Sequence, residues 1–180
     1  MKLILQTALA TALLAPAALA GNAEARDWYV KATIGQAEPA IESFELDEGL
    51  TYGAALGTSV GPVRVEGGVT RLDTGFAGVI DADALNYTLT GYLDLPVGEN
   101  ASVYGGVGLN YITADASIFG SGIDASGDGW HYAAGFAYRL NERMIGEFQY
   151  RHTDASLDAD FIGDIDVETD EVSVGLRLAL

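Results

Sequence analysis

Cysteine is absent from the 180-residue chain. That removes disulfides, thiolate nucleophiles and cysteine-ligated metals, and leaves no acceptor for a lipid anchor behind a leader. Bases are scarce too: 9 Lys and Arg stand against 26 Asp and Glu, for a formal charge of -17. A phosphate backbone is bound by clustered Lys and Arg, so this balance speaks against a nucleic-acid partner. Proline is limited to 4 residues while glycine reaches 23, well above its usual share of about 7 %, which fits neither collagen nor a disordered tail. Although 49 % of the residues are hydrophobic, no run beyond the N-terminus approaches the ~18 apolar residues of a membrane helix. Any membrane span must be built from strands.

The N-terminus is organised differently from the rest. Lys2 is a short basic start, Leu3 to Leu14 form a mostly apolar core, and Ala18-Leu19-Ala20 fits the small-x-small cleavage rule. The expectation is an export signal over residues 1–20 and a single domain over residues 21–180.

From Asp27 onward apolar residues recur at every second position, the period of a strand. Trp28, Val30, Ala32 and Ile34 share one face, against Tyr29, Lys31, Thr33 and Gly35. The same scheme recurs in segments holding Leu50 to Leu56, Val63 to Val69, Tyr87 to Leu95, Val103 to Tyr111, Tyr132 to Leu140, Met144 to Tyr150 and Val172 to Leu180. Eight such segments of about nine to eleven residues or slightly fewer match tilted membrane strands. The connections alternate between short turns near Ser59 to Pro62, Pro96 to Ala101 and Asn141 to Arg143, and long stretches at residues 37–49, 73–84, 113–129 and 154–171. The fold expected is all-β: an eight-stranded, antiparallel, up-and-down transmembrane β-barrel with four long outer loops.

A soluble barrel would alternate as well, with its apolar face inward. Here the polar face is rich in glycine (Gly35, Gly53, Gly57, Gly68, Gly106, Gly108, Gly135, Gly175), which suits the inside of a narrow barrel. Trp and Tyr gather toward the ends of the apolar face, as interfacial girdles require. The apolar face is therefore assigned to lipid, so the sheet must close, because open edges in hydrocarbon leave backbone groups unpaired. The interior then holds a polar network in which Lys31, Arg64, Arg139, Arg151 and Arg177 meet Glu66, Asp94 and Glu147.

Trp28-Tyr29-Val30 with Gly35, the pair Arg64 and Glu66, Tyr104-Gly105-Gly106-Val107-Gly108 and Tyr150-Arg151-His152-Thr153-Asp154 resemble, in order and spacing, recurrent segments of the small outer-membrane β-barrel family, the opacity-like and OmpA/OmpX-type barrels. The likeness spans nearly all of the chain after residue 20. Ser173, Gly175, Leu178 and Leu180 resemble the family's assembly signal, with Leu180 where an aromatic residue is usual. The resemblance implies a monomeric protein of the Gram-negative cell outer membrane, in contact with lipid and lipopolysaccharide and inserted by the barrel-insertion machinery. It implies a structural, adhesive or envelope-stabilising role toward an external ligand that these residues do not identify.

Three other readings compete. His152, with Asp154 and Ser156 nearby, resembles the lipid A deacylases, but their His-x-Ser pattern needs a serine where Asp154 stands, and neither His152 nor His131 is assigned a catalytic role. A narrow porin-like pore conflicts with an eight-stranded interior that side chains just fill, Tyr92 and Tyr104 among them. The long stretches hold 19 of the 26 acids, and carboxylate oxygens are ligands for Ca²⁺ and Mg²⁺. Asp158, Asp160, Asp164 and Asp166 form the densest group and the candidate site for weakly bound divalent cations; no other cofactor is expected.

Overall fold

Alternating side chains favour a strand with a different environment on each face, and strands take up most of the described chain. The computed structural model describes residues 27–41, 44–45, 48–76, 80–118, 121–159 and 163–180; the leader expected over residues 1–20 lies outside them. The strands are β1 (Asp27–Ile41), β2 (Phe44–Glu45), β3 (Gly49–Val60), β4 (Val63–Phe76), β5 (Ile80–Pro96), β6 (Ala101–Ile118), β7 (Ser121–Arg139), β8 (Met144–Ala159) and β9 (Gly163–Ala179). Leaving aside the two-residue β2, whose Glu45 pairs with Ala40 of β1, each strand runs antiparallel to the next, and β9 returns to β1 to close a barrel of eight.

Three short turns define one end. In the first, Val60 pairs with Val63 across Gly61 and Pro62; Gly61 has φ of 60°, a left-handed conformation that glycine adopts without a Cβ penalty. The other two occupy residues 97–100 and 140–143.

The far end departs from expectation. Much of residues 37–49, 73–84, 113–129 and 154–171 was expected to loop, yet the ladders run on to Ile41↔Val167, Phe76↔Ile80, Ile118↔Ser121 and Ala159↔Gly163. β7 has 19 residues, close to twice the roughly 9–11 that a tilted strand needs to cross a bilayer. The strands therefore project well past the membrane. They continue because alternation persists there with its polarity exchanged: Asp and Glu take the outward positions, and small or apolar residues the inward ones.

Within the spanning band the outward face is apolar and exposed, Val107 reaching 68 %. Trp28 and Tyr138 bound it at the short-turn end, and Tyr52, Tyr87, Tyr111, Trp130 and Tyr132 at the far end, an aromatic girdle at each interface.

Candidate functional site: the lumen and the far rim

In the half of the lumen nearer the short turns, neighbouring strands bring side chains of opposite charge to one level. Lys31 Nζ lies 2.5 Å from Glu66 Oε1, and Arg64 Nη1 lies 3.1 Å from Glu66 Oε2. Arg64 Nε donates to Asp94 Oδ2 at 3.0 Å, Tyr29 donates its hydroxyl to Glu66 at 2.9 Å, and Arg177 pairs with Glu147. Lys31 and Arg64 also face Glu147, at 3.8 and 3.9 Å. Three cations thus balance three carboxylates, which a low-dielectric interior demands, since an unpaired charge there costs several kcal/mol.

Aromatic rings complete the layer. The Arg64 guanidinium, fully buried, lies 4.0 Å from the Tyr92 ring centre and 4.9 Å from that of Tyr104, within cation–π range. Tyr92 and Tyr104 meet edge to face at 5.6 Å. Glycines make this possible: a Cβ on Gly57 would strike the Tyr29 ring, and one on Gly135 the Tyr104 ring. Among the expected network residues, Arg151 stands one level higher, 3.5 Å from Glu171. Arg139 does not join. At the end of β7 it is exposed and lines the open mouth with Asn100, Arg143 and Trp28, around a cavity of about 490 Å³, so its charge stays hydrated.

Above this layer His131, fully buried, shares a 2.9 Å hydrogen bond between Nε2 and Thr90 Oγ1. Higher still the lumen turns apolar. Ile112, Ala155 and Leu157 pack together, with Ala84, Ala125 and Val167 against them.

The outside of this upper half carries Glu38, Asp83, Asp115, Asp124, Asp128, Asp158, Asp166, Glu168 and Asp170, all exposed, with Asp73 and Asp154 half-buried. The register sets like charges directly opposite: Asp73↔Asp83, Asp83↔Asp115, Asp115↔Asp124, Asp154↔Glu168 and Glu38↔Asp170. Such pairs are unfavourable unless a cation intervenes. One does between Asp73 and Asp83, where Arg71 donates to both at 2.8 Å. Tyr52 also donates to Asp73 at 2.6 Å. Hydrogen bonding, that of Tyr52 first, holds the Asp73 carboxyl down to about 2. Across the barrel, Asp170 accepts from Tyr150 at 2.6 Å and bonds His152 Nδ1 at 2.8 Å, and these bonds, Tyr150 first, hold its carboxyl below the usual range.

The described candidate cation ligands lie on the neighbouring strands β8 and β9. Asp158 pairs with Asp164 in register, Asp166 faces Ser156, and Asp160 lies outside the described residues. Among the described residues no three of His, Cys, Asp or Glu are placed to hold one metal ion. The residues expected to form an assembly signal all belong to the strand that closes the barrel or follow it directly: Ser173 and Gly175 face inward opposite Gly35 and Thr33, and Leu178 and Leu180 are exposed outside. Sequence reasoning did not anticipate the Tyr29 bond, the apolar upper lumen or the two Tyr–Asp pairs. Each depends on strand register; the upper lumen left a trace in the alternation of Asp with Ala and Gly.

A closed eight-stranded barrel, apolar outside and ion-paired within, bounded by aromatic girdles, is an outer-membrane barrel. The chain belongs to the family described as outer membrane protein beta-barrel domain, which matches residues 7–178, and it resides in the outer membrane. Among solved structures it is similar to Neisserial surface protein A, with a TM-score of 0.76 at 18 % identity over 87 % of this chain and 100 % of that one. It is also similar to Ail, the attachment invasion locus protein of Yersinia pestis (0.55, 20 %, 86 % and 99 %), and to OprG of Pseudomonas aeruginosa (0.54, 17 %, 87 % and 96 %). At these identities the likeness speaks to fold. No curated protein matches the chain.

Proposed function

We propose that the protein is a monomeric, non-conducting surface barrel with a structural or adhesive role in the envelope, presenting a rigid acidic wall to the exterior. The observation that carries this reading is the pair of blocks in the lumen: the layer around Arg64 and Glu66, and the apolar packing of Ile112, Ala155 and Leu157 above it. Two of the similar proteins carry names that speak of surface and attachment, which agrees with this role. Lipid and lipopolysaccharide surround the wall, the insertion machinery reads Ser173, Gly175, Leu178 and Leu180, and a leader over residues 1–20 directs export. No catalytic role is assigned. The opposed carboxylates attract Ca²⁺ or Mg²⁺ as loosely held counterions, through many acids including Asp158 and Asp166, which accounts for strand continuation despite like-charge pairs.

Planar-bilayer recording tests the blocks: purified protein gives no stable unitary conductance. Reproducible channels of one size would restore the porin-like reading. For the counterions, millimolar Ca²⁺ at low salt raises the melting temperature of the wild type, and less so when Asp83, Asp115 and Asp124 become Asn. No calcium effect would reduce the acids to a role in solubility.

A further inference from the structure

Of the 9 Lys and Arg in a chain of formal charge -17, three, Arg139, Arg143 and Arg177, line the cavity at the short-turn end. Register brings them together. Arg139 pairs with Ile145 on β8, Ile145 pairs with Arg177 on β9, and the Ala179 amide donates to the carbonyl of Arg143. The three residues therefore stand on neighbouring stretches of chain along one side of the mouth.

Their own partners leave them unsatisfied. Arg177 is nine-tenths buried and lies 4.8 Å from the Tyr29 ring centre, at the floor of the cavity. Its Nη2 pairs with Glu147, but its Nε has no hydrogen-bond partner. An unmade hydrogen bond on a buried charged group is unfavourable, so an acceptor belongs beside it. The carboxylate of Asp94, which lines the same cavity, is already engaged, accepting from Arg64 at both oxygens, 3.0 and 3.4 Å away. Arg139 and Arg143 are exposed higher on the wall, and their side chains have no ion pair among the described residues. Guanidinium groups present paired N–H donors that match the two oxygens of a carboxylate.

The rest of the lining narrows the ligand. Glu99 and Glu142, on two of the short turns, border the cavity too and repel a ligand of high negative charge. Ser59, Ser102 and Asn100 offer neutral polar groups. A volume of about 490 Å³ exceeds what a lone ion fills and falls within the roughly 300–1,000 Å³ of small-molecule sites.

We propose that Arg139, Arg143 and Arg177 bind the carboxylate of a molecule whose body is polar but uncharged. It enters from the periplasm, the side that short turns face in barrels of this kind. An acidic sugar and the C-terminal end of a short peptide share this chemistry. The inference rests on the outer-membrane placement of the barrel and is independent of the role proposed for its acidic wall.

The test uses the full chain in lipid nanodiscs, where both ends of the barrel meet the solution. The chain has 2 tryptophans, and Trp28 lines the cavity, so Trp130→Phe leaves a single native reporter at the site. Its fluorescence is titrated with two matched pairs: N-acetylmuramic acid against N-acetylglucosamine, and acetyl-alanyl-alanine against its C-terminal amide. In at least one pair the acid should bind saturably and at least about tenfold more tightly than its neutral partner, the worth of one hydrogen bond between charged groups. The pair that shows the difference names the source of the carboxylate. Arg139→Gln with Arg143→Gln should erase the difference; neither side chain has a partner whose loss would disturb the fold, and unchanged circular dichroism checks this. Glu99→Gln with Glu142→Gln should keep it and admit citrate, which the wild type excludes. Equal binding of acid and neutral partner in both pairs, or no binding of either acid, overturns the proposal. So does a difference that survives loss of Arg139 and Arg143, or citrate binding the wild type more tightly than the monocarboxylates.

Discussion

The same strands build two barrels in sequence along their length. In the band nearer the short turns, Val65, Leu93 and Val107 face out while Arg64, Glu66 and Glu147 face in; beyond the girdle, Asp83, Asp115 and Asp166 face out while Ile112, Ala155 and Leu157 face in. Side-chain parity does not slip between them, since the ladder from Pro96↔Ser102 to Ile80↔Ile118 is continuous. What changes is the solvent outside. Where it is hydrocarbon the polar set must be inside and paired; where it is water the hydrophobic effect places the apolar set inside, as in a soluble barrel. The height along the strand, not the alternation, decides which face is the core.

Arg64→Leu should have the largest effect on this contrast, because Glu66 and Asp94 lose a buried partner. A loss of about 3 to 5 kcal/mol is expected in urea unfolding from lipid vesicles, and Glu66→Gln combined with Arg64→Leu should recover part of it. Next, Val107→Arg near the midplane should cost about 2 to 4 kcal/mol, whereas Ser156→Arg, outward but above the girdle, should cost little. Equal losses at the two positions would erase the boundary between the regions.

In the upper lumen, Leu157→Ala should cost about 2 kcal/mol by leaving a cavity. Leu157→Asp should cost more than Ser156→Asp, its outward neighbour, and the reverse order would place the core on the wrong side of the wall. The smallest effect concerns pH. Asp73 is held down to about 2 from an ordinary 3.8, so its contribution is fully present above the ordinary value and is lost as pH falls through the depressed one. Carboxyl chemical shifts should show Asp73 titrating below the ordinary aspartate value, with the Tyr52 hydrogen bond lost in the same range.

The lower barrel was legible in the sequence because its apolar residues are large and alternate for eight or more positions, and because short turns carry Gly, Pro and Asn. Lys31, Arg64, Glu66, Asp94, Glu147 and Arg177 could be placed together from parity alone. Arg139 shares that parity, but its height puts it at the mouth, and height is what parity omits. The upper barrel was hidden by composition. Asp124-Ala125-Ser126-Gly127-Asp128-Gly129 is made of turn-forming residues, and its inward members are too small to mark an apolar face. Gly127 and Gly129 lie so close to the backbone at Ser156 and Asp154 that a larger residue would not fit, so the crowding that requires a strand there also removes its hydrophobic signature. The Asp73–Arg71–Asp83 bridge needs the register of two hairpins at once, which a linear pattern does not contain.

The ladders that close at Phe76↔Ile80, Ile118↔Ser121 and Ala159↔Gly163 bear on how an immune system would see this molecule. Above the bilayer, consecutive residues alternate between wall and core, so an antibody pressed against the side meets every second residue of one strand beside every second residue of its neighbours. Asp83, Asp115 and Asp124, adjacent in space, come from three separate stretches of chain. Epitopes on the wall are therefore discontinuous: sera raised against the folded barrel should bind whole cells and lose most of their reactivity on denaturing blots, and linear peptides copied from the wall should make poor immunogens.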